Sequence, residues 1–298
     1  MKPASFDYHR PDTAEEAVGL LAELGEDAKI LAGGQSLVPM LSMRLAFFDH
    51  LIDISRLGEL QGIQLRDDQL WIGAGTPDSK VGTNYQVHQS IPLLARATPY
   101  IGHFQIRNRG TLGGSIAHAD AAGEYPTVAL TLDAVMEVLS PRGHREIPAA
   151  EFFTGLWETA MEPDEVLTGV RFPTWTGKSG FAMREFSRRH GDFAIAGAAV
   201  AVQLDDEHRV SRCAIGLLGL GPTPRRATAA EAAEAAVLGK PIDELVPEQI
   251  GQSAMSGLDD IASDLQGSAS YRAQVGAVMT ARAWSRAVQE ANAETAHA

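Results

Sequence analysis

The spacing of apolar residues changes several times along this chain, and each change marks a different element. After Pro11-Asp12-Thr13, apolar residues recur at Ala17, Leu20, Leu21 and Leu24, which predicts a capped helix stopped by Gly25. Ala28 to Leu31 reads as a short buried strand running directly into a glycine loop. Ser36 then has the form of an N-cap, with Pro39 tolerated in the first turn of a helix reaching Met43. Residues 50–54 predict another short strand.

From Gly62 the pattern shortens to alternation. Residues 62–65 and 69–73 flank Asp67-Asp68 and predict a hairpin. Helices are expected over 91–101 and 126–132, and strands of an antiparallel sheet over 134–139 and 165–172. The Pro- and Gly-bearing stretch 173–180 is the best linker. Beyond it, 181–187, 196–204 and 210–218 suggest a small sheet, and 227–238 and 273–291 alanine-rich helices. The last residues, 291–298, lack a core-forming pattern and are expected to fray. No internal repeat is present.

Length and composition narrow the class. The 298 residues suit two domains, or one with an added lobe, and the 45% apolar and 21% charged fractions are those of a globular protein. A formal net charge of −13 argues against a nucleic-acid surface. The single cysteine, Cys213, excludes an internal disulfide and a cysteine-ligated cluster or zinc site built by this chain alone. It alternates with apolar neighbours and reads as a small core residue. The N-terminus lacks the apolar core of a leader and no run approaches a membrane span, so a reducing, cytoplasmic setting is expected.

Candidate chemistry concentrates in two glycine loops. One reads Leu31-Ala32-Gly33-Gly34-Gln35-Ser36, the other Thr111-Leu112-Gly113-Gly114-Ser115. Adjacent glycines let backbone N–H groups meet phosphate oxygens with no Cβ in the way. Two such loops, each with a hydroxyl residue and each opening toward a helix, suggest a dinucleotide, although either pair alone is also consistent with a tight turn. Asp120 and Glu124 follow the second loop; they suit ribose hydroxyls or simply complement a helix N-terminus. His118 lies near enough to touch a ligand or to be an ordinary loop histidine. Gly219-Leu220-Gly221 is not a Rossmann fingerprint, because position 224 is proline rather than the third glycine. No metal-ligand spacing and no nucleophile–base set stands out.

At these residues the chain resembles a known family. The runs Ala32-Gly33-Gly34-Gln35-Ser36-Leu37-Val38-Pro39-Met40-Leu41 and Ile106-Arg107-Asn108-Arg109-Gly110-Thr111-Leu112-Gly113-Gly114-Ser115-Ile116-Ala117-His118-Ala119-Asp120 are similar to those of the FAD-binding medium subunits of molybdenum hydroxylases. Ser5-Phe6-Asp7-Tyr8-His9-Arg10-Pro11 and Arg189-His190-Gly191-Asp192-Phe193-Ala194 extend the likeness. The group includes medium subunits of carbon monoxide dehydrogenase, quinoline oxidoreductase and nicotine dehydrogenase.

The resemblance implies an α+β protein with an FAD-binding fold of the vanillyl-alcohol-oxidase type. Residues 1–175 would form the FAD-binding domain, with lobes of about 1–57 and 58–175, and 176–298 a C-terminal α+β domain. FAD would be held non-covalently, with the pyrophosphate and ribityl portion on Ala32, Gly33, Gly34, Gln35 and Ser36 and on Thr111, Gly113, Gly114 and Ser115. Lys29 would add charge, Glu124 would make an acidic contact to the adenosine end, and Leu31, Leu37, Ile106, His118 and Asp120 would complete the cofactor-binding set. Asp192 would also bind the cofactor, and Phe193 would lie near the flavin, phenylalanine standing where carbon monoxide dehydrogenase has tyrosine.

A small subunit with [2Fe–2S] clusters and a large subunit with a molybdenum–pterin cofactor would be the partners, in a dimer of heterotrimers. Electrons would pass from the clusters through FAD to an external acceptor, with no catalytic acid or base in this chain. The competing expectation is a self-contained flavin reductase of the same fold.

Overall fold

The computed structural model describes residues 2–227 and 233–293. A small N-terminal lobe comes first. Strands β1 (Asp7–His9), β2 (Ala28–Leu31) and β3 (His50–Asp53) form a parallel sheet in the order β1-β3-β2. Helix α1 (Ala14–Leu24) packs on it, its N-terminus capped by the Thr13 hydroxyl, which accepts from the Glu16 amide at 3.1 Å. Gly25, at φ 64°, ends the helix as expected, and a 3₁₀ turn follows. Helix α2 (Leu37–Ser42) crosses between β2 and β3, but Ser36 makes no side-chain cap. Its backbone is already helical, so its hydroxyl does not point back at the first turn.

The second lobe is a five-stranded antiparallel sheet. Strands β4 (Ile63–Arg66) and β5 (Gln69–Gly73) form the expected hairpin, with Asp67 at φ 52° in the turn. Two short helices, α3 (Asp78–Thr83) and α4 (Tyr85–Ser90), come next. The expected helix over 91–101 is α5 (Pro92–Ala97) extended by a 3₁₀ turn. Helices α6 (Phe104–Arg107), α7 (Leu112–His118) and α8 (Glu124–Thr131) then carry the second glycine loop. Strands β6 (Val135–Ser140) and β7 (Gly143–Pro148), helix α9 (Ala149–Phe152), the hairpin β8 (Phe153–Gly155) and β9 (Glu158–Thr159), and strand β10 (Val166–Pro173) complete the lobe. The sheet order is β4-β5-β10-β6-β7.

The last sheet holds β11 (Ser179–Phe186), β12 (Ala196–Leu204), β13 (Val210–Leu218) and the two-residue β14 (Arg225–Arg226). Alternate residues of β12 serve opposite faces. Ala199 and Ala201 join the core of the second lobe, whereas Ala198, Val200 and Val202 face the core built around Trp284. Burial on both faces explains the nearly unbroken apolar run of this strand. Helices α10 (Ala233–Val237), α11 (Pro247–Ala254) and α12 (Ala269–Ala293) cover the outer face. Of the helix expected over 227–238, residues 228–232 lie outside the described residues, as do 294–298 of the expected fraying end. Arg96 of α5 bonds Glu290 of α12 and the Phe181 carbonyl, tying the last helix to the second lobe. Among the described residues, no helix is long and apolar enough to cross a membrane.

Candidate functional site

The two glycine loops meet. A Cβ built on Gly33 would stand 2.0 Å from the Arg109 carbonyl oxygen and 2.8 Å from the Gly110 Cα, so only glycine allows the two backbones to approach this closely. The following residue, Gly34, turns the chain at φ 72°. A third segment, between β5 and α3, braces the second loop: the Leu112 amide donates to the Thr76 carbonyl and the Gly113 amide to the Ala74 carbonyl.

The loops differ in what they leave free. In the second, the Gly114 amide donates to the Thr111 hydroxyl at 3.0 Å and the Ser115 amide to the Thr111 carbonyl at 3.0 Å. The amides of 112–115 are therefore spent inside the protein. In the first, the amides of Gly33, Gly34, Gln35 and Ser36 have no partner among the described residues; the loop's own bonds use carbonyls, Gly34 accepting from Val38 and Gly33 from the Gln35 side chain. Unpaired N–H groups on a turn with positive φ are suited to an anion. The second loop thus supplies shape and side-chain hydroxyls, and the first supplies donors.

At one end of this junction lie Lys29, His118 and Asp120. The Lys29 ammonium sits 5.7 Å from the Phe48 ring centroid. Burial holds the His118 imidazole below its ordinary range, Asp120 opposing and Lys29 adding to the effect. Asp120 accepts from the Ala122 amide at 2.8 Å and from the Trp157 indole at 3.3 Å, so both of its oxygens have protein partners. At the other end, Ile106 lies under Gly102, and the loop bearing Asp192 and Phe193 comes in from the third sheet. A Cβ on Gly191 would lie 2.7 Å from the His103 ring, and the His103 and His190 ring centroids are 6.0 Å apart. Phe193 is 59% exposed.

Beneath the second loop is a group of acids of which only Glu124 was singled out by sequence. Asp78, 2% exposed, lies against Gly110, with one carboxylate oxygen buried and unpaired. Burial pushes it up to about 8, Glu124 adding and Arg107 opposing. Glu124 is pushed up to about 7, chiefly by burial, its own amide opposing and Asp120 adding. Glu185 on β11 is pushed up to about 8 by burial and by Glu124. Burial disfavours the charged form of all three carboxyl groups, which lessens the repulsion a phosphate-bearing ligand would meet. Asp78 was missed because an acid in a helix's first turn usually faces water.

Comparison with known proteins now decides the family. Residues 4–175 match the FAD binding domain in molybdopterin dehydrogenase, and residues 181–287 the CO dehydrogenase flavoprotein C-terminal domain. The chain belongs to the FAD-binding subunits of the molybdopterin dehydrogenases. It is 43% identical over 291 residues to the 6-hydroxypseudooxynicotine dehydrogenase complex subunit alpha of Paenarthrobacter nicotinovorans, covering 98% of this chain and 97% of the relative. It superposes on carbon monoxide dehydrogenase from Hydrogenophaga pseudoflava with a TM-score of 0.92 at 39% identity, over 97% of this chain and 99% of that one. Quinoline 2-oxidoreductase from Pseudomonas putida 86 gives 0.91 at 34% identity, over 98% and 99%. The α+β flavoprotein fold expected from the resemblance is therefore the fold observed, and the chain is an oxidoreductase subunit of the medium-chain type.

Proposed function

We propose that the chain holds FAD non-covalently and serves as the electron-transfer subunit of a heterotrimeric molybdenum hydroxylase. It would receive electrons from [2Fe–2S] clusters on a small partner subunit and pass them to an external acceptor, while a large molybdenum–pterin subunit carries out substrate hydroxylation. The observation that carries this reading is the row of unpaired amides at Gly33–Ser36, pressed against the second glycine loop in a member of this family. The names of the relatives support a multi-subunit complex: one is a subunit of a dehydrogenase complex, another a carbon monoxide dehydrogenase medium chain. A lone cysteine, buried in β13, leaves cluster ligation to another chain.

Bound FAD supplies the group that accepts and releases electrons. The protein's own residues do the holding. Gly33, Gly34, Gln35 and Ser36 offer amides to the pyrophosphate, with Lys29 adding positive charge. Ala32, Leu31 and Leu37 shape the wall of the first loop, and Thr111, Gly113, Gly114 and Ser115 form the facing one. Glu124, Asp120 and His118 serve the nucleotide end, and Ile106, Asp192 and Phe193 flank the flavin end. Phe193 offers a ring face and no hydroxyl, so its part is packing and exclusion of water. Electron transfer requires no general acid or base from these residues.

Rapid mixing of the assembled complex with its reducing substrate tests the assignment. Flavin bleaching should follow cluster reduction and require the partner chains. Substrate-dependent bleaching by this chain alone would transfer the function to a self-contained reductase.

A further inference from the structure

One patch of surface runs against the charge of the whole molecule. The chain carries a formal net charge of −13, yet residues 103–109 and 186–193 together hold four arginines against a single acid, Asp192. The two segments are in contact. A Cβ on Gly191, at φ 86°, would lie 2.7 Å from the His103 ring and 3.1 Å from the Gly102 carbonyl oxygen. The Asp192 amide and the Ser187 hydroxyl both donate to the Arg189 carbonyl, at 3.1 and 2.8 Å, and so fix the backbone of the second segment. Arg109, Arg188 and Arg189 are exposed and make no ion pair among the described residues. By contrast, Glu290 neutralises Arg96, Glu165 neutralises Arg145 and Asp264 neutralises Arg272.

The make-up of the patch indicates the kind of partner. Two exposed rings, Phe104 at 63% and Phe193, belong to the same two segments as the cations. A small apolar contact ringed by charge is the form of a transient redox encounter, whereas permanent subunit contacts are larger and more apolar. A surface of the second kind lies elsewhere: Val38, Met43, Leu45 and Phe47 make an exposed apolar strip along α2 and the turn after it. In the scheme above Ile106 and Phe193 flank the flavin end, so a molecule docked on the cations would come close to the flavin. Charge complementarity requires that molecule to be acidic.

We propose that this patch is the docking site of an acidic one-electron carrier protein, the external acceptor for electrons leaving the flavin. The inference rests on the reading of the chain as an electron-transfer subunit. Two successive encounters empty the two-electron-reduced flavin. Each passes one electron and leaves one carrier reduced, and the flavin's two protons go to solvent. Steering of this kind raises encounter rates about 10- to 1000-fold, and salt removes the gain.

Photoreduced holo-complex is mixed by stopped flow with an acidic haem protein, cytochrome b5, or a basic one, cytochrome c, and the haem spectrum gives each rate. The cytochrome b5 rate should fall at least about 10-fold as ionic strength rises from about 0.01 to about 1 M and the Debye length shrinks from about 30 to about 3 Å. The cytochrome c rate should not fall. Replacing both Arg188→Ala and Arg189→Ala should lower the cytochrome b5 rate about 10-fold at low salt, and Arg188→Lys with Arg189→Lys should keep it. Flavin content and reduction of a small neutral quinone should be unchanged in both pairs. On the flavin-free full-length chain, surface plasmon resonance should show cytochrome b5 binding that weakens with salt and with the alanine pair. If the net charge of −13 governs instead, salt slows cytochrome c and not cytochrome b5, which would overturn the inference. An unchanged cytochrome b5 rate in the alanine pair would do the same, as would loss of a partner chain from that variant, which would make the patch a subunit interface. A wild-type complex without flavin would overturn the electron-transfer reading itself, and the binding measurement would still report on the patch.

Discussion

Gly33→Ala isolates the contact on which the site depends. The added methyl would meet the Arg109 oxygen at 2.0 Å, the Arg109 carbonyl carbon at 2.7 Å and the Gly110 Cα at 2.8 Å. All three are backbone atoms, so no side-chain rotation relieves the clash. Reaching even the 3.0 Å below which Cβ contacts are essentially never seen requires the loops to part by about 1 Å. Overpacking of this kind costs about 1–3 kcal/mol. If that cost falls on the closed arrangement that grips the cofactor, FAD affinity drops about 5- to 150-fold. The assay is flavin content per chain after gel filtration, with a melting curve on the same sample. Gly19→Ala is the control: its Cβ meets nothing within 4 Å in the middle of α1, so it should gain about 1 kcal/mol of stability and keep its flavin. A folded Gly33→Ala protein with wild-type flavin content would refute the idea that close apposition of the loops makes the site.

Gly113→Val acts differently: its Cβ would lie 2.3 Å from that of Ala74, so the melting temperature should fall along with flavin retention, as differential scanning fluorimetry would show. Asp78 has a folded pKa raised to about 8 from 3.8, so in the flavin-free chain it destabilises progressively as pH rises from about 4 to 8. Asp78→Asn should therefore melt higher than wild type at pH 8, with the gap closing toward pH 4; a constant gap across that range contradicts the assignment. Glu165 is the opposite case. Burial raises it, but the Arg145 hydrogen bonds at 2.6 and 2.7 Å, the Glu162 amide and the nearby arginine charges outweigh burial and leave it lowered. Its contribution is present above pH 4.5 and lost as pH falls through the lower folded value, and Arg145→Ala should cost about 2 kcal/mol in neutral-pH denaturation. Cys213, whose thiol burial pushes up, should resist a thiol reagent in the folded chain and react at once in denaturant.

Much of the scaffold is legible in the sequence wherever apolar periodicity is strong. Thr13 and Gly25 bracket α1, and Asp67-Asp68 between alternating runs marks the β4–β5 hairpin. The strand–loop–helix order around Gly33 is equally plain, although Ser36 does not cap because it already lies in helical backbone. Three-residue β1 is too short to show a period; it exists because β3 offers a parallel edge. Helices α3 and α4 are short and polar and depend on packing against α5. At the site, the glycines are legible because close backbone approach has a residue signature. Which loop keeps free amides is not, since Ala74 and Thr76 satisfy the second loop from far away in sequence.

The most direct test is mild purification of the tagged chain from the cell that produces it, followed by a visible spectrum and metal analysis of everything that elutes with it. One FAD per chain, overlaid iron–sulfur absorbance, and two partner chains that bring iron and molybdenum are the expected result. A solitary flavin-bearing chain that turns over a small substrate, or a chain with partners but no flavin, would contradict it.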